Sequence, residues 1–239
     1  MNAIIDIGNT RAKLALFNNR DFIEINTFKL QELPTALEKR KNEIKNAIIS
    51  NVNQDIDQEI KNILRKSQLL PLNTSNLNIA YTHYKESELG LDRKANAAKA
   101  VVQFKGENTL VIDAGSCITY DIINKQSEFL SGGISPGYSF RLKAMHQFTA
   151  RLPYIEASDS WDIKHWALDT KSSMLRSCLQ GIAAEINDQI DFFLEQFPDG
   201  KIVLTGGDCE KLQKLIKKPI FANQNWTLEG LNEILLSQI

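Results

Sequence analysis

The sequence predicts an α/β fold of two similar lobes, in which each lobe is a mixed β-sheet with flanking helices. One observation is a short pattern that occurs twice: an apolar strand ends in Asp-x-Gly, a small hydroxyl residue follows closely, and a second strand begins. The pattern occurs at Asp6 and again at Asp113. The other observation is that each half reads as βββαβαβα, which is typical of a sheet covered by helices on its faces. We therefore expect an N-terminal lobe at 1–106 and a C-terminal lobe at 107–239.

The individual elements follow from the spacing of apolar residues. Apolar segments of strand length, bounded by turn residues, predict strands at 3–7, 13–18, 22–28, 47–52, 68–73, 109–113, 118–123, 128–131, 201–205 and 219–222. Apolar residues at three- and four-residue steps predict helices at about 30–45, 53–66, 92–105, 137–149, 172–197, 208–217 and 228–236. The helix at 172–197 has the clearest pattern, and its broad apolar face suits a shared core or a subunit interface.

The composition is that of a globular cytoplasmic protein. The chain has 239 residues, of which 43% are hydrophobic and 24% are charged, enough for one large domain or two modest ones. A net charge of −1 provides no basic surface for nucleic acid. No apolar stretch approaches the roughly 18 residues of a membrane span, and the N-terminus lacks the basic region of a signal peptide. Three cysteines without CxxC spacing predict reduced thiols.

The segment 4–13, IIDIGNTRAK, places a carboxylate, a hydroxyl and an ammonium at one strand–turn–strand junction. Gly8 permits close approach of the backbone to a phosphate, and consecutive turn amides form an anion-binding concavity. Lys13 adds a positive charge, and Asp6 can hold a cation or its water shell. The alternative is a hairpin with ordinary turn chemistry. The second copy of the pattern, TLVIDAGSCITYD at 109–121, favours nucleotide binding.

The segment 89–100, LGLDRKANAAKA, predicts a helix that begins near Asp92. Aspartate is a good helix N-cap and needs no catalytic role at such a position. Beside a phosphate site, however, the same carboxylate can take a proton from a substrate hydroxyl. Arg93 is either a solvated residue of the first turn or a bidentate partner for a substrate carboxylate.

Two further glycine-rich segments are candidate ligand-binding loops. SGGISPG at 131–137 predicts two bends before a helix, and such a loop can form the wall of a substrate pocket. LTGGD at 204–208 ends an apolar strand, and its glycine pair permits close approach to a flat ligand such as adenine. Both are also compatible with ordinary turn chemistry. The three histidines have no metal-ligand spacing, so no structural zinc site is expected.

These segments, in this order, resemble those of the type III pantothenate kinases, a family of the actin and sugar-kinase superfamily. IDIGNTRAK is similar to the family's ATP turn, GLDR to its substrate motif, DAGSCIT to its second Asp-x-Gly turn, GISPG to its Pro-Gly loop and LTGGD to its glycine pair. The resemblance implies an actin-like, ribonuclease-H-like ATPase fold and phosphorylation of pantothenate by ATP, the first step of coenzyme A biosynthesis. It also implies a homodimer and a monovalent cation, K⁺ or NH₄⁺, with Mg²⁺ accompanying ATP.

The resemblance further implies roles for individual residues. Asp92 is the catalytic general base, and Asp113 binds the monovalent cation. The expected ATP-binding residues are Asp6, Ile7, Gly8, Asn9, Thr10, Arg11, Ala12, Lys13 and Ser116, the last in place of a threonine. The expected pantothenate-binding residues are Tyr84, Gly90, Leu91, Asp92, Arg93 and Thr170, with His83 as the alternative to Tyr84.

Two other classes of function remain open on the residues alone. One is another kinase, or a phosphohydrolase, of the same superfamily, which would need the same pair of aspartate turns. The other is a regulatory protein that binds nucleotide without turnover. The GLDR segment favours a substrate that carries a carboxylate, and the retained Asp6, Lys13, Asp92 and Asp113 favour an enzyme.

Overall fold

The chain folds into two compact units, each built on its own five-stranded sheet. The computed structural model describes residues 1–8, 11–51, 57–64, 68–156 and 166–239. The first unit comprises Met1–Lys105 and Trp226–Ile239, and the second comprises Gly106–Asn225. The expected fold class, two mixed sheets with flanking helices, is confirmed. The structural division differs from the expected lobes in one respect, because the last helix belongs to the first unit.

The strands are β1 (Asn2–Ile7), β2 (Arg11–Asn18), β3 (Asp21–Lys29), β4 (Asn46–Asn51), β5 (Gln68–Leu70), β6 (Thr109–Ala114), β7 (Cys117–Ile123), β8 (Phe129–Pro136), β9 (Lys201–Thr205) and β10 (Phe221–Ala222). The helices are α1 (Leu33–Arg40), α2 (Asp57–Ile63), α3 (Leu91–Gln103), α4 (Tyr138–Gln147), α5 (Thr170–Gln196), α6 (Cys209–Leu212) and α7 (Trp226–Leu236). None of the helices in the described ranges is long and apolar enough to cross a membrane.

The two sheets share one topology. The first has the order β3-β2-β1-β4-β5, and the second has the order β8-β7-β6-β9-β10. In each, the central strand pairs antiparallel with the strand that follows it in the chain and parallel with a strand that returns after a helical crossover. The aspartates of the two turns therefore occupy the same place, near the carboxyl end of the central strand of each sheet.

In the first unit, helices cover the sheet and fix the position of α3. Apolar residues of β1 and β2 form a buried cluster with Leu33 and Leu37 of α1 and Ile60 of α2. Helix α7 packs on α3, on β1 and on β4. The indole N–H of Trp226 donates to the carbonyl of Asn96 at 3.2 Å. This packing holds the helix whose first turn carries Asp92.

In the second unit, the long helix α5 lies against the sheet through the apolar face that the sequence predicts. Ile182, Ile186 and Ile190 are fully buried in one cluster with residues of β6, β7 and β9. Of the two expected uses of that face, the structure therefore shows the core. Burial of such side chains contributes about 1.5–3 kcal/mol each.

Two elements described here differ from the sequence prediction. Strand β8 continues to Pro136, so the segment 131–137 is mainly strand and not a loop with two bends. The reason is that Gly133 pairs with Tyr120 and leaves room for its ring, which a Cβ at this position would approach to 3.4 Å. The expected helix at 30–45 is limited to α1 and is preceded by a 3₁₀ turn at Leu30–Glu32. The last residue of the strand expected at 47–52, and both ends of the helix expected at 53–66, lie outside the described residues.

Candidate active site

The first aspartate turn brings a carboxylate and an ammonium to one face of the sheet. Asp6 and Lys13 are register partners on β1 and β2, so their side chains point to the same side. The Gly8 amide donates to the Arg11 carbonyl at 3.0 Å and closes the turn. Ile7 and Ala12 are buried and Arg11 is exposed, whereas the expected ATP-binding residues Asn9 and Thr10 lie outside the described residues.

Asp6 has an unusual electrostatic environment. Burial raises the pKa of its carboxyl, and this effect outweighs the charge of Lys13 and a hydrogen bond from Ser50, both of which lower it. The charge of Asp92 raises the pKa further. The structure thus places the expected base, Asp92, within electrostatic reach of the first phosphate turn.

The start of α3 sets the conformation of Asp92. Gly90 is the N-cap and the helix begins at Leu91, so Asp92 lies inside the first turn and does not cap the helix as one interpretation of the sequence suggested. Its Oδ1 accepts a hydrogen bond from the Arg93 amide at 2.8 Å. A Cβ at position 90 would lie 2.5 Å from that oxygen. Glycine is therefore needed beside Asp92 to leave its carboxylate in place.

Arg93 is buried and not solvated, with 3% of its surface exposed. Its Nη1 donates to the Tyr84 hydroxyl at 3.1 Å, and its guanidinium lies 5.1 Å from the centre of the Tyr84 ring. His83 is exposed. Of the two alternatives for the substrate contact, the structure therefore brings Tyr84, and not His83, to Arg93.

The second aspartate turn has hydroxyl neighbours where the first has Lys13 and Ser50. Asp113 on β6 has Thr119 on β7 and Thr205 on β9 as its register partners. Both threonines are buried, Thr205 completely. Neither hydroxyl has a hydrogen-bond partner among the residues that the structure describes. An unpaired buried hydroxyl costs about 1–3 kcal/mol, so the two hydroxyls beside Asp113 oppose folding in this structure.

Gly206 has a conformation that brings the chain after β9 against Asp113. Its φ is 93°, in the region that favours glycine. A Cβ there would lie 2.5 Å from Asp113 Oδ1. The next turn is tied to β6 as well, because the Asp208 amide donates to the Ala114 carbonyl at 3.0 Å. The sequence suggested that this glycine pair lets the backbone approach a flat ligand. In the structure, Gly206 lets the backbone approach β6, and a Cβ at position 207 would meet open space.

Ser116, the expected ATP contact in the second turn, is exposed, and its backbone carbonyl contacts Gly137. The Gly115 amide donates to the Cys117 carbonyl at 3.0 Å, which makes the turn tight. The Gly137 amide donates to the Ser116 carbonyl, also at 3.0 Å. A Cβ at position 137 would lie 2.7 Å from the same oxygen, so only glycine fits there.

Thr170, the remaining substrate candidate, lies at the start of α5. Asp169 caps this helix, since its Oδ1 accepts from the Ser172 amide at 2.7 Å. Thr170 lines an open groove of about 530 Å³ together with Met145, Leu152, Leu168 and Met174. The described residues that line it all belong to the second unit, and none of them is in the second aspartate turn.

One charged cluster in the second unit was not predicted from the sequence. Glu185 on α5 accepts hydrogen bonds from Tyr120 at 2.7 Å and from Ser135 at 2.5 Å, and forms an ion pair with Arg141. Burial alone would raise the pKa of Glu185, but these three donors together lower it below its ordinary value. The four residues come from four separate elements, and no local sequence pattern relates them.

The repeated sheet topology and the paired aspartate turns define a class, the α/β proteins of the actin-like ATPase and sugar-kinase fold. Solved structures agree with this class. A Listeria monocytogenes protein assigned as an N-acetylmannosamine kinase has a TM-score of 0.52 at 13% identity, with 99% of both chains covered. A Campylobacter jejuni protein assigned to the Baf family of transcriptional activators has a TM-score of 0.63 at 23% identity, covering 97% of this chain and 96% of its own. At these identities the likeness shows the fold alone.

The chain belongs to the type III pantothenate kinase family. The family model, described as type III pantothenate kinase, matches residues 3–191. A type III pantothenate kinase from Christiangramia forsetii is 38% identical over 98% of both chains. One from Bacteroides fragilis is 36% identical over 98% of this chain and 97% of its own. The resemblance of the motifs to this family is confirmed.

The environment of Asp6 predicts a pH-dependent stability. Because its folded-state pKa is raised, Asp6 favours folding below its ordinary pKa of 3.8 and opposes it once the pH exceeds the folded-state value. We expect Asp6→Asn to raise the thermal unfolding midpoint at pH 7.5, and the gain to shrink as the pH falls towards 4. Calorimetry at several pH values measures this, with the exposed Asp21→Asn on the same sheet as the control. A midpoint that falls at every pH would contradict the prediction.

Proposed function

We propose that this protein transfers the γ-phosphoryl group of ATP to the hydroxyl of pantothenate, giving 4′-phosphopantothenate in the first step of coenzyme A biosynthesis. The full-length similarity to type III pantothenate kinases supports the reaction. The observation that carries it is the arrangement of Asp6, Lys13 and Asp92 in the first unit, where Lys13 is the register partner of Asp6 and the charge of Asp92 acts on the carboxyl of Asp6. Such a site supplies both a phosphate-binding group and a base.

In this proposal, the first turn binds the phosphates of ATP. The ammonium of Lys13 and the turn amides stabilise charge on the phosphoryl oxygens. The ATP-binding residues of the proposal are Asp6, Ile7, Gly8, Asn9, Thr10, Arg11, Ala12, Lys13 and, from the second turn, Ser116. A divalent metal, Mg²⁺, accompanies ATP and neutralises phosphate charge.

The carboxylate of Asp92 is the proposed general base. The pantothenate hydroxyl oxygen forms a bond to the γ-phosphorus, the bond from that phosphorus to the bridging oxygen breaks, and ADP leaves. Asp92 takes the hydroxyl proton. Arg93, held by Tyr84, is the cationic partner for the substrate carboxylate. The backbone of Gly90 and Leu91 and the hydroxyl of Thr170 complete the proposed substrate contacts.

The role of Asp92 is tested by Asp92→Asn. We expect the amide to preserve the fold and to lower kcat by about 10²–10⁴, as for the loss of a general base. A coupled assay of ADP release with pantothenate measures this. Glu88→Gln, which changes an exposed carboxylate of the same segment, is the matched control and should leave kcat unchanged.

The same assay separates the alternative functions. ADP release that does not need pantothenate would favour a phosphohydrolase, and ATP binding without turnover would favour a regulatory protein. Normal turnover by Asp92→Asn would remove Asp92 from the role of base.

A monovalent cation, K⁺ or NH₄⁺, is the proposed ligand of Asp113. The donor set fits, because it consists of one carboxylate and the buried hydroxyls of Thr119 and Thr205, all hard oxygen donors. The corresponding place in the first unit has the ammonium of Lys13 beside Asp6. In the proposal, Lys13 neutralises phosphate charge at the first turn. A monovalent cation at Asp113 carries the same charge and would have the same effect at the second turn.

This cation site is tested by Thr205→Val, which removes a buried hydroxyl with little change in shape. Without K⁺, we expect the unfolding midpoint to be unchanged or higher, because an unpaired polar group is lost. We expect K⁺ to raise the midpoint of the wild type and to have little effect on the variant. Thermal unfolding in potassium chloride and in choline chloride of equal ionic strength measures both.

The control for the cation test is Thr109→Val, at the opposite end of the strand that carries Asp113, which should keep the K⁺ effect. A Thr205→Val variant that responds to K⁺ as the wild type does would contradict the proposed ligand set.

A homodimer is the proposed assembly, with a second copy covering the exposed apolar side chains of the second unit. Leu168 is 95% exposed, Trp166 is 81% exposed and Phe148 is 80% exposed. Leu168 also lines the groove that contains Thr170. Trp166 and Leu168 are two positions apart in the chain, and contiguous exposed apolar surface is typical of a protein interface.

We expect Leu168→Asp to weaken this dimer, because a charge would be buried in the interface. Sedimentation velocity over a range of protein concentrations measures the change. Ile23→Asp, at an exposed apolar residue of β3, is the control and should leave the assembly unchanged. A wild-type protein that is monomeric at micromolar concentration would contradict the proposed assembly.

A further inference from the structure

The segment Pro136–Gly137, which joins β8 to α4, supports the turn that carries Ser116. Pro136 is the register partner of Cys117, the residue after Ser116. The Gly137 amide donates to the Ser116 carbonyl at 3.0 Å, and there is no room for a side chain at position 137. A shift of Pro136–Gly137 therefore moves the backbone of Ser116 with it.

Arg141, in the second turn of α4, fixes this segment from the helix side. Its Nε donates to the Pro136 carbonyl at 2.8 Å. Its Nη2 donates to the carboxylate of Glu185. A guanidinium can make both contacts at once because its donors form a rigid planar fork, which a lysine ammonium lacks.

Glu185 in turn fixes Arg141. Its Oε1 accepts from the hydroxyls of Tyr120 and Ser135, and its Oε2 accepts from Arg141. The two hydroxyl donors lie on β7 and β8. The sheet therefore fixes the orientation of the Glu185 carboxylate, which also accepts from Arg141. Charged hydrogen bonds of this kind are about twice as strong as neutral ones. A continuous chain of contacts therefore runs from Glu185 through Arg141 and Pro136 to Ser116.

We propose that Glu185 is a positioning residue for ATP, which orients Arg141 and thereby holds Pro136–Gly137 and Ser116 in the conformation that binds the nucleotide. This inference rests on the proposed function, in which Ser116 contacts ATP. In this proposal Glu185 acts through Arg141 and contacts no reacting group. Its removal therefore weakens nucleotide binding without removing a chemical group from the reaction.

The test compares Glu185→Gln with Asp191→Asn on the same helix. Both replace a carboxylate by its amide, but Asp191 forms an exposed ion pair with Lys218, at 3.2 Å, outside the network. We expect Glu185→Gln to raise the KM for ATP and the dissociation constant of ATP by about tenfold, with less than about twofold change in kcat and in the KM for pantothenate. Asp191→Asn should change none of them.

A double-variant cycle tests the route through Arg141. If Glu185 acts only through the arginine, Glu185→Gln combined with Arg141→Gln will be no worse than Arg141→Gln alone. Arg141→Lys, which keeps the charge but loses the planar fork, should reproduce the ATP effect and serves if Glu185→Gln does not fold.

Three results would overturn the inference: unchanged ATP parameters in both network variants, independent effects in the double variant, or a uniform fall of all kinetic parameters together with the unfolding midpoint. ATP dissociation constants from calorimetry do not need turnover. A wild type that binds ATP but does not phosphorylate pantothenate would therefore contradict the proposed function. The ATP dissociation constants of the variants would still test the inference about Glu185.

Discussion

Both aspartate turns depend on one constraint, which is that the central strand of each sheet ends in an aspartate whose surroundings are fixed by its two neighbouring strands. In the first unit, β2 places Lys13 and β4 places Ser50 beside Asp6. In the second unit, β7 and β9 place two threonines beside Asp113. The same topology thus places an ammonium at the register position beside one carboxylate and threonine hydroxyls at the register positions beside the other. The proposed cation at Asp113 would make the charges at the two positions alike.

The sequence could predict the part of this arrangement that is local. Asp6 and Lys13 are joined by a short turn, so the hairpin register brings them together, and the same holds for Asp113 and Thr119. Ser50 and Thr205 could not be found in this way. Each stands on a parallel strand that returns after a helical crossover, and the register of such a strand is set by packing and not by turn length.

Long-range packing also explains the other differences between sequence and structure. Helix α7 belongs to the first unit because Trp226 and its neighbours pack on α3, a contact between residues far apart in the chain. The Glu185 network joins two strands and two helices, and no spacing in the sequence relates its four members. The first turn of α3 was ambiguous because aspartate and glycine are both acceptable N-caps. The backbone shows that Gly90 is the N-cap, so Asp92 does not have the capping role.

The environment of Asp6 shows why these positions are better explained by function than by stability. A partly buried carboxylate within electrostatic reach of Asp92 opposes folding at neutral pH, and Lys13 and Ser50 offset this only in part, since the pKa of Asp6 remains raised. The hydroxyls of Thr119 and Thr205, which have no partner among the described residues, carry a similar cost. An asparagine, or a valine in place of each threonine, would remove these costs without altering the strands. The proposed binding of nucleotide phosphate in the first unit, and of a cation in the second, would each offset such a cost in the bound state.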